Sequence, residues 1–131
     1  MNRQELEVIK QKALDEKIPI IMDEALEVIK NILIKQKPKR ILEIGTAVGY
    51  SAICFSEFLA DEGIIDTIEI EEEKVLEARK NIERVVGVGA LDDPKTITKR
   101  AVGLGLDPTA KINVIHGDAV EILRDIKRKR I

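Results

Sequence analysis

The stretch Ile41-Leu42-Glu43-Ile44-Gly45-Thr46-Ala47-Val48-Gly49-Tyr50-Ser51 constrains the fold more than any other part of the chain. A short apolar run that ends directly on a glycine reads as a buried parallel strand. Gly45 lacks a Cβ, so the chain can turn sharply there and a ligand can approach the backbone. Gly49 permits close passage where the next helix begins. The free N–H groups of that helix start attract a carboxylate or phosphate. Ser51 adds a hydroxyl in the same place. The plainer alternative is an ordinary strand-to-helix turn with no ligand.

The remaining elements fall into place around this turn. Residues 3 to 16 carry Leu6, Ile9, Ala13 and Leu14 at helical spacing, and Pro19 interrupts them. Asp23 or a neighbour caps a second helix, which Pro38 ends. Ser51 to Leu59 predicts a helix, Ile64 to Ile70 a second strand, and Glu71 to Arg84 a further helix. Lys111 to His116 predicts a third strand and Asp118 to Lys127 a last helix. Alternating strands and helices imply a Rossmann-like, doubly wound parallel α/β sheet with right-handed crossovers. The reading is one domain over 1–131, with N-terminal helices over 1–37 and a partial core over 38–131. The third strand is expected to leave one side of the sheet unpaired, which invites association.

Residues 85–110 break the rhythm. Arg84-Val85-Val86-Gly87-Val88-Gly89 is echoed by Arg100-Ala101-Val102-Gly103-Leu104-Gly105, and each copy continues through Leu, Asp and Pro. A compact fold does not need so long a connection. It reads as a tolerated surface insertion, with a local duplication or a functional flap as alternatives.

Composition narrows the class. The chain is 44% hydrophobic but only 2% aromatic, so its core must be aliphatic. Charged residues reach 35% with a net charge of −2, which describes a solvated surface rather than a global nucleic-acid footprint. One cysteine, Cys54, excludes an internal disulfide and a multi-cysteine metal site. The charged N-terminus and the lack of a long apolar run predict a soluble, cytoplasmic protein. Cys54 and His116 read as packed residues. Lys127 to Arg130 reads as a solvated helix end, with an RNA contact as the minority reading.

A dinucleotide site would show G-x-G-x-x-G, but Ala47 and Tyr50 stand where two of the three glycines belong. The pattern suits a smaller ligand with a carboxylate head. Glu69 ends the second strand, where an acid in such folds accepts from two ribose hydroxyls. Gly117-Asp118-Ala119 follows the third strand. Asp118 could accept from an adenine amine or simply cap the last helix, and both readings stay open. All three sites lie at carboxyl ends of neighbouring strands.

Together with Ile18-Pro19-Ile20-Ile21, Pro38 to Ile53 and Thr67-Ile68-Glu69, these residues resemble the S-adenosylmethionine-dependent O-methyltransferases of the caffeoyl-CoA and catechol type, in their small bacterial and archaeal branch. The resemblance implies S-adenosylmethionine as cofactor. Glu43 would face its methionine amino end, Gly45, Thr46 and Ser51 would line the methionine, and Gly49 would allow close passage. Glu69 would hold the ribose, Asp118 and Ala119 would frame the adenine, and the segment Ile20 to Met22 would cover the cofactor. The family also uses a divalent metal, held by acidic residues after a fourth strand, and those ligands have no counterpart here. No catalytic group is assigned. The expected function is methyl transfer to a hydroxyl of a small molecule or a tRNA nucleoside, with this chain as the cofactor-binding half. The alternative is a non-catalytic binding or assembly module completed by another chain. A homo-oligomer, such as a dimer, is expected.

Overall fold

The computed structural model describes residues 1–87, 90–91 and 111–130. Helices α1 (Arg3–Asp15) and α2 (Asp23–Gln36) precede the sheet. Then come β1 (Arg40–Ile44), α3 (Tyr50–Ser56), β2 (Ile64–Glu69), α4 (Glu72–Val86), β3 (Ala90–Leu91), β4 (Ile112–His116) and α5 (Ala119–Arg130).

Local chemistry sets the boundaries. The Asn2 side chain accepts from the Glu5 N–H and caps α1, while the Asn2 N–H bonds Val85 O and ties that end to α4. α2 stops where Lys37 turns left-handed ahead of Pro38. On α4, Val75, Ala78, Ile82 and Val85 recur at helical spacing and all are buried.

The sheet order is β1-β2-β4-β3, and every pairing is parallel. Sequence patterning anticipated β1, β2 and β4 but not β3. This two-residue strand lies in the segment taken for an insertion and pairs with the outer side of β4. The third predicted strand, β4, therefore has neighbours on both sides, and the edges of the sheet among the described residues are β1 and the two-residue β3. Val85 and Val86, counted with the same segment, complete α4. The second copy of the near-repeat lies outside the described residues.

Two cores flank the sheet. On one face Ile65, Ile112 and Val114 pack with α1, α3 and α4, and α3 is buried through most of its length. On the other face Ile68 and Ile115 pack with Ala119 and Ile122 of α5. Buried polar groups are matched across elements. Arg79 donates to Val114 O at 3.0 Å, and Asn113 donates through Nδ2 to Asp66 Oδ1 at 2.9 Å. No helix among the described residues is long and apolar enough to cross a membrane.

Candidate functional site

The turn after β1 is wound by alternating left-handed residues. Gly45 has φ +91°, Ala47 +49° and Gly49 +87°. Gly45 and Gly49 take this conformation without penalty. Ala47 does not, and non-glycine residues held this way cluster at functional sites. Glu69 holds it there, since its Oε1 accepts the Ala47 N–H at 2.9 Å. Its Oε2 accepts the Glu71 N–H at 3.0 Å. The carboxylate thus fastens the first turn to the end of β2. Each oxygen still has a lone pair for another donor.

Beneath the turn runs a chain of hydroxyls. Thr67 donates to Glu43 Oε1 at 2.6 Å, and the Thr46 and Thr67 hydroxyl oxygens lie 2.7 Å apart. The one Thr67 proton goes to Glu43, so Thr46 must donate to Thr67. Ser51 donates to Glu43 Oε2. Burial pushes the Glu43 carboxyl above the ordinary carboxylate range, and the Ser51 and Thr67 hydrogen bonds offset part of that rise. From α4, Asn81 donates to Val48 O at 2.9 Å and pins the turn from outside. Burial also raises the Tyr50 hydroxyl and pushes the Cys54 thiol up to about 11, so neither is ionised at neutral pH.

Two hollows meet at Gly45. The first, about 170 Å³, is lined by Pro19, Ile20 and Ile21 on one side and by Gly45 to Val48, Tyr50 and Ser51 on the other. The second, about 290 Å³, lies between the ends of β2 and β4 and is mostly apolar. Ile44, Gly45, Ile68, Glu69 and Ile70 form one wall, and Gly117 to Val120 form the other. His116, in β4, bonds Ile70 O through Nε2 at 3.0 Å and holds that wall.

The structure thus gathers Gly45, Thr46, Ser51, Glu69, Asp118 and Ala119 around two adjoining hollows. Glu43 lies below the floor, with its carboxylate turned to Ser51 and Thr67. Gly49 lines neither hollow. It caps α3 and passes Ala78, whose Cβ would sit 3.4 Å from an added Cβ. Met22 is not brought in. Its side chain is 70% exposed, while Ile20 and Ile21 line the hollow instead. Met22 is the extended N-cap residue of α2. Asp118 does cap α5, since Oδ1 accepts from the Val120 N–H at 2.8 Å and the Glu121 N–H at 3.2 Å. It also lines the second hollow, so the two sequence readings are compatible. Thr67 entered the sequence reading only within Thr67-Ile68-Glu69 and without a role, and Asn81 not at all. Thr67 two residues before Glu69 was the available signal; Asn81, on a helix with no motif, offered none.

Comparison with known proteins follows the same outline. The profile of the protein-L-isoaspartate(D-aspartate) O-methyltransferase family matches residues 6–121. A protein-L-isoaspartate O-methyltransferase from Pyrobaculum islandicum is 32% identical over 99 residues, which cover 71% of this chain and 48% of that protein. The O-methyltransferase of Bacillus cereus, solved with S-adenosylhomocysteine, superposes with TM-score 0.68 at 25% identity, over 95% of this chain and 48% of its own. A Staphylococcus aureus structure provisionally assigned as a caffeoyl-CoA O-methyltransferase gives 0.67 at 26% identity, over 92% and 47%. The chain spans about half the length of these relatives.

Proposed function

The chain belongs to the protein-L-isoaspartate(D-aspartate) O-methyltransferase family, and on that premise we propose that it binds S-adenosylmethionine where the two hollows meet and takes part in methyl transfer to oxygen. The observation that carries the reading is the Glu69 carboxylate, fixed by two backbone N–H groups between a polar-floored hollow and an apolar one. That order of environments matches an amino-acid end, a ribose and a flat base.

On this reading Gly45, Thr46 and Ser51 border the methionine end, with Ile20 and Ile21 across from them. Glu43 sets that floor through Ser51 and Thr67 and faces the amino end. Glu69 accepts from the ribose hydroxyls on its remaining lone pairs. Asp118 and Ala119 border the adenine, with Ile70 against its face. When bound, the cofactor supplies the electrophilic methyl group; this chain's residues orient it and exclude water. Among the described residues no three His, Cys, Asp or Glu side chains converge to hold a metal ion.

The acceptor belongs to the same proposal: a hydroxyl of a small molecule or of a tRNA nucleoside, in a cytoplasmic setting. The matched family's description names protein L-isoaspartate and D-aspartate, so a carboxylate of such a residue is the competing acceptor. Calorimetry with S-adenosylhomocysteine tests the cofactor reading, and a folded sample that shows no binding at millimolar ligand would reject it. A second reading is a binding module without turnover. A methyl-transfer assay on the chain alone separates the two.

A further inference from the structure

The floor of the first hollow is ordered by the direction in which its protons point. An ionised carboxylate only accepts, and each serine or threonine hydroxyl has one proton to give. Glu43 Oε1 takes the proton of Thr67, and Oε2 takes that of Ser51. Thr67 therefore meets Thr46 with a lone pair, and the Thr46 proton is spent on it at 2.7 Å. Thr46 and Ser51 both line the hollow. Each has given its proton to the chain of groups beneath, so each offers only lone pairs to a ligand above. The rest of the lining has few donors to add. The N–H groups of Gly45, Ala47 and Gly49 are bonded to Ile68 O, Glu69 Oε1 and Thr46 O. The Tyr50 hydroxyl is engaged with Cys54. No Lys, Arg or His is among the described residues that line the hollow.

A floor of this kind suits a ligand that brings its own protons. A carboxylate would meet lone pairs, with the Glu43 charge behind them. A primary ammonium has three protons and a positive charge. We propose, resting on the cofactor reading above, that the first hollow recognises the ammonium of the amino-acid end and gives its carboxylate little, and that Thr67 is the positioning residue that fixes this preference. Thr67 is fully buried and does not line the hollow. It acts through Thr46, whose proton it keeps turned away from the ligand. Its place follows from strand pairing, since Thr67 stands opposite Glu43 in the register of β1 and β2. The carboxylate head expected from the glycine turn gives way to the ammonium beside it.

The test compares two relatives of S-adenosylhomocysteine, one decarboxylated and keeping only the ammonium, the other deaminated and keeping only the carboxylate. Calorimetry on the full chain is run at a pH well above the carboxylate range. The decarboxylated ligand should bind more tightly than the deaminated one by roughly tenfold or more, the worth of a hydrogen bond to a charged group. Thr67→Val keeps the side-chain shape and the Glu43 charge but leaves Thr46 without its acceptor, so the Thr46 proton turns to the ligand. The ratio of the two affinities should then fall by roughly threefold or more, whereas a purely structural loss would weaken both ligands alike. Thr67→Ser retains the hydroxyl and should retain the ratio. Glu43→Gln covers the case in which Thr67→Val fails to fold. Its amide donates to Ser51 or to Thr67, and either way one hydroxyl proton is turned to the hollow and the ratio falls. Equal binding of the two ligands by the parent chain, or tighter binding of the deaminated one, would overturn the proposal. So would an unchanged ratio in folded Thr67→Val or, failing that, in Glu43→Gln. S-adenosylhomocysteine itself, titrated into the parent chain, reports on the cofactor reading. If it binds and the two relatives bind alike, the ammonium preference alone fails; if none of the three binds, both readings fail.

Discussion

Two carboxylates in this protein lie one strand apart and do opposite work. Glu69 is held as an acceptor by two backbone N–H groups at 2.9 and 3.0 Å. Glu69→Ala should weaken S-adenosylhomocysteine binding by about 1.5–3 kcal/mol, the usual worth of a hydrogen bond to a charged group. Calorimetry reads this directly, and an unchanged affinity would remove Glu69 from the site. Glu43 is half-buried, and desolvation of its carboxyl raises its folded pKa above the ordinary 4.5. Between 4.5 and that raised value the folded chain binds more protons than the unfolded one. Stability therefore falls as pH rises through the window and stays lowered above it. Glu43→Gln should flatten that slope. Denaturant midpoints measured against pH for both chains check it, and parallel curves would show that Glu43 is not the source. The acid at Glu69 and the turn at Gly45 to Ser51 were legible from residue types alone. The Glu43 hydroxyl chain was not, because Glu43 and Thr67 come from different strands and meet only through the register of β1 and β2.

At the scale of elements, two junctions set the site. The turn into α3 rests on Gly49, whose φ of +87° is a left-handed conformation that side chains disfavour. Gly49→Ala should cost about 1 kcal/mol or more, from the left-handed backbone, since the added Cβ would meet Ala78 at an ordinary contact distance of 3.4 Å. Equilibrium unfolding measures it, and an unchanged midpoint would mean that the turn relaxes freely. The turn into α5 rests on Asp118, which caps the helix and borders the second hollow. Asp118→Ser retains a capping oxygen, so stability should hold while cofactor affinity falls; Asp118→Ala should lose about 1 kcal/mol of stability as well. If Ser and Ala variants bind alike and as tightly as the parent, Asp118 is a cap only. Most helices and strands were foreseen because apolar periodicity marks them. β3 was not, because two residues carry no period, and their pairing with β4 is a long-range event.

For the whole molecule, a ligand that binds only the folded chain must stabilise it. S-adenosylhomocysteine at 100 times its Kd should add about 2.7 kcal/mol to unfolding. Chemical denaturation with and without ligand reads this, and no shift at saturating ligand would contradict binding to the folded state. Composition foretold the aliphatic core that this stability rests on, since aromatics make up only 2% of the chain.

By itself, the sequence determined the alternation of strands and helices, the glycine-bearing turn and the three strand ends. Each depends on residues close together in the chain: periodicity within an element, glycine at a bend, an acid at a strand end. Only the tertiary structure decided that Met22 points away while Ile20 and Ile21 line the hollow, and that Glu43 is bound from below. It also decided that β4 is flanked on both sides, so that β1 and β3 form the edges among the described residues. The run Ile41 to Ile44 carries apolar residues on both faces, Glu43 apart, much as a central strand would. Whether such a strand has one neighbour or two depends on what packs beside it, and local sequence does not encode that.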